Sequence, residues 1–512
     1  MSDLPKSWIT APLHRLGRWQ GGGTPSKAVP EFWQGSIPWV SPKDMKAPVV
    51  RDSLDHISEA ATQRSAATLI PERSILVVTR SGILAHSLPV AINAIEVTVN
   101  QDLKALTPSE GLSSDYLAYA LKANERTILN DCVKDGTTVH SVEVPALLNF
   151  EIPIAPTREQ DRIVAKIEEL FSELDKAVES LTLARAQLKT YRQALLKAAF
   201  EGRLTADWRA ANPDKLEPPE TLLARIRTER EARHKQALAA WQTALAEWRA
   251  GGEAGRKPGK PQRPSEICAS GRLVSGEPDG WAVVPLGLMI DEPAYGTAKK
   301  CGYETAGMGV LRIPNIGSGT VDPSDLKFAS FDDDERETYR LLPGDLLTIR
   351  SNGSVSLVGK VALVTAAHTQ YLYAGYLIRL RPNPTVVESA FLLRVMESHA
   401  LRSQIESKAK STSGVNNINS GELQELLVPV CRIEEQREVV ERLEARLSAF
   451  DAVENEIDTA FDRISALRQS ILKQAFSGQL VPQDPADEPA SALLARLREE
   501  APTARIRRRR TA

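Results

Sequence analysis

The sequence has 512 residues, 42% of them apolar and 25% charged, with a net charge of −2, which describes a globular chain too long for one core. The near-neutral balance excludes a global basic field, so any nucleic-acid contact must use a local patch, and no run of about 18 apolar residues suggests a membrane span. Four scattered cysteines (Cys132, Cys268, Cys301, Cys431) without a CxxC exclude a disulfide scaffold and a zinc site, and the start MSDLPKSWIT lacks a secretory pattern, so a cytoplasmic location is expected.

Residues 1–150 read as a first mixed α and β globule. Trp8 with Pro12-Leu13 opens it, and LIPERSILVVTRSG (Leu69 to Gly82) is a Pro turn followed by a β-rich run ending on Arg-Ser-Gly. From Glu159 to Phe200 no Pro or Gly interrupts a heptad seam of Ile163, Ile167, Leu170, Leu174, Ala177, Leu181, Ala184, Leu188, Tyr191, Leu195 and Ala198. The spacing predicts one long helix within 151–204, ended by Gly202. Residues 205–280 follow as a helical segment carrying Trp241 and Trp248, then a Gly/Pro/basic linker, GGEAGRKPGKPQRP.

The remainder repeats the first part. Residues 281–428 form a second globule, opened by Trp281 with Pro285-Leu286, and LLPGDLLTIRSNG (Leu341 to Gly353) resembles Leu69 to Gly82. Within 429–478, ILKQAFSGQL (Ile471 to Leu480) repeats LLKAAFEGRL (Leu195 to Leu204) at an offset of 276 (471 − 195). The match runs upstream without a gap: Glu159-Gln160 pairs with Glu435-Gln436, Asp175 with Asp451, Arg192-Gln193 with Arg468-Gln469. The second seam is Val439, Leu443, Arg446, Phe450, Val453, Ile457, Ala460, Ile464, Leu467 and Ile471, broken only by Arg446, and Gly478 ends it. A weaker echo follows each helix: LLARIR from Leu222 returns as LLARLR from Leu493, each soon after a Glu-Pro, the latter in the tail 479–512.

A stripe so narrow needs a partner helix, and the other copy, packed antiparallel within the chain, is the expected one. The expected fold is α+β: two mixed α/β domains at opposite ends of an intramolecular antiparallel coiled coil, with pseudo-twofold symmetry. Such a ruler suits a target with two parts at fixed spacing.

The machinery of an enzyme is missing from the sequence. There is no GxxxxGK[ST], GxGxxG, HExxH or GxSxG, and the seven histidines show no ligand spacing. FDDDERE (Phe331 to Glu337) reads as a helix start rather than a metal site. No catalytic or metal-binding residue and no cofactor are expected in this chain, which points to a recognition subunit.

GGGTPSKAVPEFWQGSIPWVSPKDM (Gly21 to Met45) resembles the opening of a target-recognition domain in specificity subunits of type I restriction-modification systems. VLRIPNIGSGTVDPSDLKF (Val310 to Phe328) and RLLPGDLLTIRSNGSVSLVGKVAL (Arg340 to Leu363) look like a second variant of it, and PIAPTREQDRIVAKI, VPVCRIEEQREVVERL and the two helix ends resemble the family's helical junctions. The resemblance implies a non-catalytic subunit that binds a bipartite double-stranded DNA site, one half per domain. It implies two methyltransferase subunits and, in the full complex, two restriction/translocase subunits as partners. S-adenosylmethionine, ATP and Mg are then implied for those partners, which methylate adenine N6 or cut unmethylated DNA.

Base edges are read by polar side chains and phosphates are held by Lys and Arg. The candidates in the first domain are Thr24, Ser26, Lys27, Ser41, Lys43, Asp44, Arg80, Ser81, Gly82, Lys134, Thr137, Thr138 and His140. In the second they are Arg312, Asn315, Arg350, Ser351, Asn352, Lys360, Tyr373, Asn416 and Asn417, with Arg80 and Arg350 favoured because each ends a strand at an equivalent place. Trp33 and Trp39 read as core. Glu168, Lys176, Arg185 and Lys189 are candidate docking positions for methyltransferases, and RIRRRR (Arg505 to Arg510) a candidate phosphate grip. Two other readings fit the same sequence: a coiled-coil adaptor without DNA readout, and a DNA-recognition subunit of another phage-defence methylation system.

Overall fold

The structure is a computed structural model that describes residues 4–134, 139–253, 257–261, 278–304, 306–412 and 414–500. Thr137, Thr138, the Arg505–Arg510 run and much of the Gly/Pro/basic linker lie outside the described residues. The fold is α+β, with two sheet-containing units and two helices of 44 residues each, Thr157–Phe200 and Ile433–Phe476. Among the described residues no helix is long and apolar enough to cross a membrane. The first unit comprises Met1–Thr182 with Ile457–Ala512, and the second Leu183–Glu456.

Four sheets belong to the first unit among the described residues. Strand Ile9–Pro12 pairs antiparallel with Glu151–Ile154 and closes the domain at the base of the long helix. A five-stranded sheet runs in the order Gly17–Gly21, Leu103–Pro108, Ile75–Val78, Val90–Asn93, Val49–Val50, with only the last pair parallel. Ile75–Val78 is buried at all four positions, as a β-branched and aliphatic run in a central strand should be. Ile37–Val40 lies parallel to Val97–Val99 in another sheet.

The second unit repeats this topology. Ala282–Pro285 pairs with Leu427–Val430, and the five strands run Ala294–Tyr295, Leu377–Leu380, Leu346–Ile349, Val361–Leu363, Gly319–Thr320, again with a parallel last pair. Met308–Leu311 lies parallel to Leu372–Tyr373.

Each long helix roots its start in the domain it follows through one buried glutamine. In the first unit Gln160 donates to the Ala155 carbonyl (2.8 Å) and accepts from the Ser113 amide (3.0 Å), the N-cap of helix Ser114–Ala123. In the second, Gln436 donates to the Cys431 (2.7 Å) and Val386 (2.9 Å) carbonyls and accepts from the Glu388 amide (2.9 Å), the N-cap of Ser389–Glu397. Satisfied buried amides of this kind fix one geometry, because leaving any of their groups unpaired is costly.

Within each unit the beginning of one long helix meets the end of the other, so the two run antiparallel. Ile163 and Ile167 share the first core with Leu472, Ala475 and Phe476; Leu195, Leu196, Ala199 and Phe200 share the second with Val439, Leu443 and Leu447. Gly202 and Gly478 end the helices at φ +68° and +74°. The echo motif follows the same rule. Leu493 and Leu494 complete the first core and Leu222 and Ile226 the second, while Glu488 clamps Arg496 at 2.6 and 2.8 Å and Glu217 clamps Arg225 at 3.2–3.3 Å.

The heptad seam needs correction at three positions. Tyr191 (62%), Leu467 (50%) and Val453 (44%) are largely exposed, and Leu447 rather than Arg446 enters the core. A helix of 3.6 residues per turn drifts by about 20° per heptad against a strict 3.5 repeat, so the sequence stripe leaves the contact line. Tyr191 and Leu467 occupy equivalent places in the two copies, so the drift is the same in both.

Candidate nucleic-acid interface

The runs that end on Arg-Ser become short strands. Arg80–Ser81 follows the buried strand Ile75–Val78, and Ser351–Asn352 follows Leu346–Ile349 by way of Arg350. Each edge strand is paired by a segment some sixty residues downstream. In the first domain Ser81 faces His140 and Arg80 faces Ser141, with Val133–Lys134 completing a three-stranded sheet. In the second, Ser351 faces Asn417 and Asn352 faces Asn416, with Lys410–Thr412 as the third strand. The candidate residues Arg80, Ser81, Lys134 and His140 thus belong to one small sheet, and Ser351, Asn352, Asn416 and Asn417 to its counterpart, with Arg350 leading into it.

Partners divide the candidates into groups with donors to offer and groups already committed. Arg80, Lys27 and Lys43 are exposed, and among the described residues no carboxylate pairs with them. Lys134 is exposed but ion-paired with Glu143. Ser81 caps the turn Gly82–Ala85 through the Ile83 amide (3.4 Å), which leaves exposed Gly82 at its start. Thr24 donates to Gln101 (2.5 Å), and Ser26 accepts from the Ala28 amide (3.3 Å). Arg350 is half-buried: its Nε donates to Asn417 Oδ1 (3.1 Å), and its guanidinium lies 4.9 Å over the Tyr295 ring. Asn416 donates to the Gly353 carbonyl (3.0 Å) and Asn352 accepts from the Ser354 amide (2.9 Å). Lys360 is half-buried at the end of the same loop.

Two candidates in the second domain are core groups. Asn315 is 1% exposed; its amide accepts from the Arg312 N–H (2.7 Å) and donates to the Asp322 (2.8 Å) and Asp325 (2.9 Å) carbonyls. Tyr373 is buried, with its hydroxyl on the Ala294 carbonyl (3.3 Å), and burial pushes that hydroxyl up to about 12. Asp44 is committed in the same way as Asn315: it accepts from the Ser41 amide and hydroxyl (2.8 Å each) and from the Leu54 amide (3.0 Å). Asp44 and Asn315 close equivalent 3-10 turns after the parallel strands Ile37–Val40 and Met308–Leu311. A polar residue that tolerates burial by capping a turn looks, in sequence, like one poised to touch a ligand.

Sequence reading passed over several groups here. Tyr303, 62% exposed, carries Lys327 at 4.8 Å and Arg312 at 5.8 Å over its ring. Arg312 is also held by Asp325 (3.0 Å), whereas among the described residues Lys327 has no ion pair. Burial raises the Cys301 thiol against the pull of nearby Arg312, Lys327 and Lys299, which marks a cationic neighbourhood. Tyr295 and Tyr376 are exposed beside Arg350, whose amide donates to the Tyr376 carbonyl (2.9 Å). Their signal lay in an exposed aromatic close to a cation in space, which no local sequence window displays. Trp39 is core and Trp33 packs on it edge to face at 5.2 Å. The acidic run begins a helix, Asp333–Thr338, capped by Asp332.

Comparison with known proteins agrees with this architecture. The family described as the Type I restriction modification DNA specificity domain matches residues 5–181. The Type I restriction enzyme EcoR124I/EcoR124II specificity subunit of Escherichia coli is 40% identical over 197 residues, which are 37% of this chain and 47% of that protein. The EcoKI specificity subunit of Escherichia coli K12 is 25% identical over 408 residues, spanning 77% of this chain and 73% of the relative. The chain thus spans about half of the first relative and nearly three quarters of the second. A solved chain, from work on complex assembly and conformational transition of the type I R-M system, superposes with a TM-score of 0.62 at 16% identity, over 93% of this chain and 99% of that one. At that identity the likeness concerns the fold. Residues 5–181 thus match the Type I restriction modification DNA specificity domain, and the chain is similar, over parts of its length, to specificity subunits of type I restriction enzymes.

Proposed function

We propose that this chain is the DNA-reading subunit of a type I restriction-modification complex, in which residues 1–150 and 281–428 each read one half of a bipartite double-stranded site. The observation that carries the reading is the small sheet built twice on one topology, with Arg80 in one copy and Arg350 immediately before the matching strand of the other, neither paired to a carboxylate among the described residues. Two copies of a reader call for two half-sites. Arg suits guanine and Asn adenine, so Arg80, Arg350, Asn352, Asn416 and Asn417 are the base-reading candidates, while Lys27, Lys43, Lys327 and Lys360 suit phosphates. With a net charge of −2, binding rests on such local groups rather than on a steering field.

In this reading the paired long helices set the number of unread base pairs. Their 44 residues correspond to about 66 Å at 1.5 Å per residue, enough to separate readers by a helical turn of DNA, about 34–36 Å. Their outward faces dock two methyltransferase subunits, with Glu168, Lys176, Arg185 and Lys189 and the exposed Tyr191 and Leu467 as contact candidates; two restriction/translocase subunits complete the complex. Methyl transfer from S-adenosylmethionine and ATP-driven cleavage with Mg then belong to the partners, and this chain contributes recognition.

The test is methylome sequencing of a host carrying the chain with its methyltransferase subunits. A bipartite motif that appears only with this chain is expected. Inserting four residues after Ala184 and four after Ala460, about 6 Å of helix, should lengthen the spacer and leave both half-sites intact. Loss of the chain without loss of the motif would refute the reading.

A further inference from the structure

We propose that Tyr295 is the positioning residue of the second reading domain, holding Arg350 as a two-pronged donor, and that the base it reads is guanine. The inference rests on the DNA-reading function above and adds to it a base identity and a residue.

Arg350 is restrained along its length. Its backbone is fixed by the Arg350 N–H to Tyr376 carbonyl bond (2.9 Å) and the Ile418 N–H to Arg350 carbonyl bond (3.0 Å). Its Nε is bonded to Asn417 Oδ1 (3.1 Å), and its guanidinium carbon lies over the Tyr295 ring, 4.9 Å from the centroid. Tyr295 is itself pinned at its far end, where its hydroxyl accepts from the Ser420 amide (3.0 Å) and lies 3.2 Å from the Ser420 hydroxyl. A ring beneath its carbon and a bonded Nε restrict the orientation of the planar group.

What remains are Nη1 and Nη2. Among the described residues neither makes a hydrogen bond or an ion pair. Two other arginines of this domain contrast with it. Arg381 is bidentate to Asp345 (2.7 and 2.8 Å), and Arg312 is tied to Asp325 (3.0 Å). Arg350 is therefore a pre-oriented fork without a carboxylate, immediately before a strand whose cross-strand neighbours are the amides Asn416 and Asn417. A planar two-donor fork matches the O6 and N7 acceptors of guanine, and the single point charge of lysine does not. The same fork can also take a phosphate, so the experiment separates the two.

The complex with its methyltransferase subunits is used, and methylated sites are sequenced for the wild type, Tyr295→Phe, Tyr295→Leu and Arg350→Lys. The wild-type motif should hold a guanine in the half-site that these variants alter. Tyr295→Phe keeps the ring and should keep the motif. Tyr295→Leu and Arg350→Lys should lower methylation at guanine-containing sites by between about fivefold and about a hundredfold and admit other bases at that one position, with the other half-site and the spacing unchanged. A half-site without guanine, an unchanged motif in Tyr295→Leu, or uniform weakening at all sequences (a phosphate contact) would overturn the proposal. So would loss of co-purification with the methyltransferase subunits in both Tyr295→Leu and Arg350→Lys, which would make the stack structural. Absence of any bipartite motif with the wild-type chain would instead remove the DNA-reading function itself.

Discussion

Arg192 Nη1 lies 3.2 Å from Asp451 Oδ1 in the second unit, and Arg468 and Asp175 form the same ion pair in the first. Each residue of one pair is the repeat-equivalent of a residue in the other, so the duplicated helix supplies the arginine once and the aspartate once. Both pairs are partly exposed, and such pairs contribute about 0.2–1 kcal/mol. Arg192→Ala should therefore lower stability to urea by less than about 1 kcal/mol. Arg192→Asp should cost more, by placing like charges together, and Arg192→Asp with Asp451→Arg should recover most of that loss. A double variant no more stable than the single one would show that the pair does not couple.

The glycines that end the long helices carry a steeper penalty. At Gly202, φ +68°, an added Cβ would stand inside van der Waals contact with Pro278 Cγ, and at Gly478, φ +74°, with Pro5 Cγ. Left-handed backbone and a proline wall act together, so Gly202→Ala and Gly478→Ala should each cost about 1–3 kcal/mol. Thermal unfolding of each variant checks this, and a midpoint equal to wild type would refute it.

Glu435 is buried and gathers three donors: Thr205 Oγ1 (2.7 Å), Arg209 Nη1 (2.5 Å) and Trp281 Nε1 (2.9 Å). Removing the carboxylate strands a nearly buried guanidinium along with an indole and a hydroxyl. Glu435→Ala should cost about 3–5 kcal/mol, and Glu435→Gln, which keeps an acceptor, clearly less. Urea midpoints decide between this and a merely peripheral role, for which the two variants would behave alike.

Glu159, the equivalent glutamate in the first unit, accepts from Gln483 (2.5 Å), and burial raises its carboxyl above the ordinary 4.5, with Trp8, Gln483 and Arg162 opposing the rise. A carboxyl raised on folding binds its proton more readily in the native state. Its contribution to stability is complete below the unfolded value and is lost as pH climbs through the folded one. Glu159→Gln should therefore gain stability relative to wild type as pH rises from below 4.5 towards neutrality. Parallel stability curves for the two proteins across that range would contradict the burial argument.

Asn315 is expected to matter to folding and not to base choice. Asn315→Ala breaks its bonds to the Arg312 amide and the Asp322 and Asp325 carbonyls, at about 1–3 kcal/mol. The methylation motif of material that remains folded should be unchanged. A shift in base preference would instead make Asn315 a reader.

By itself the sequence determined the repeat and the long helices that carry it. The 276-residue offset, the two long helices and their glycine ends are consequences of copied local pattern, visible in one dimension, whereas the expected equivalence of Arg80 with Arg350 is off by one residue: strand pairing makes Arg80 the counterpart of Ser351 and Arg350 that of Thr79. Tertiary structure alone decided which polar groups remain available. Asn315 and Tyr373 have the composition of contact residues and the placement of core groups, because a turn after a parallel strand folds Asn315 inward and Tyr373 lies in the buried strand Leu372–Tyr373. Tyr295 lies 55 positions before Arg350 in the chain and directly against it in space, because strand order, set by long-range pairing, brings Ala294–Tyr295 into the sheet that ends beside it. Burial and stacking depend on those distant partners, and no local window of sequence contains them.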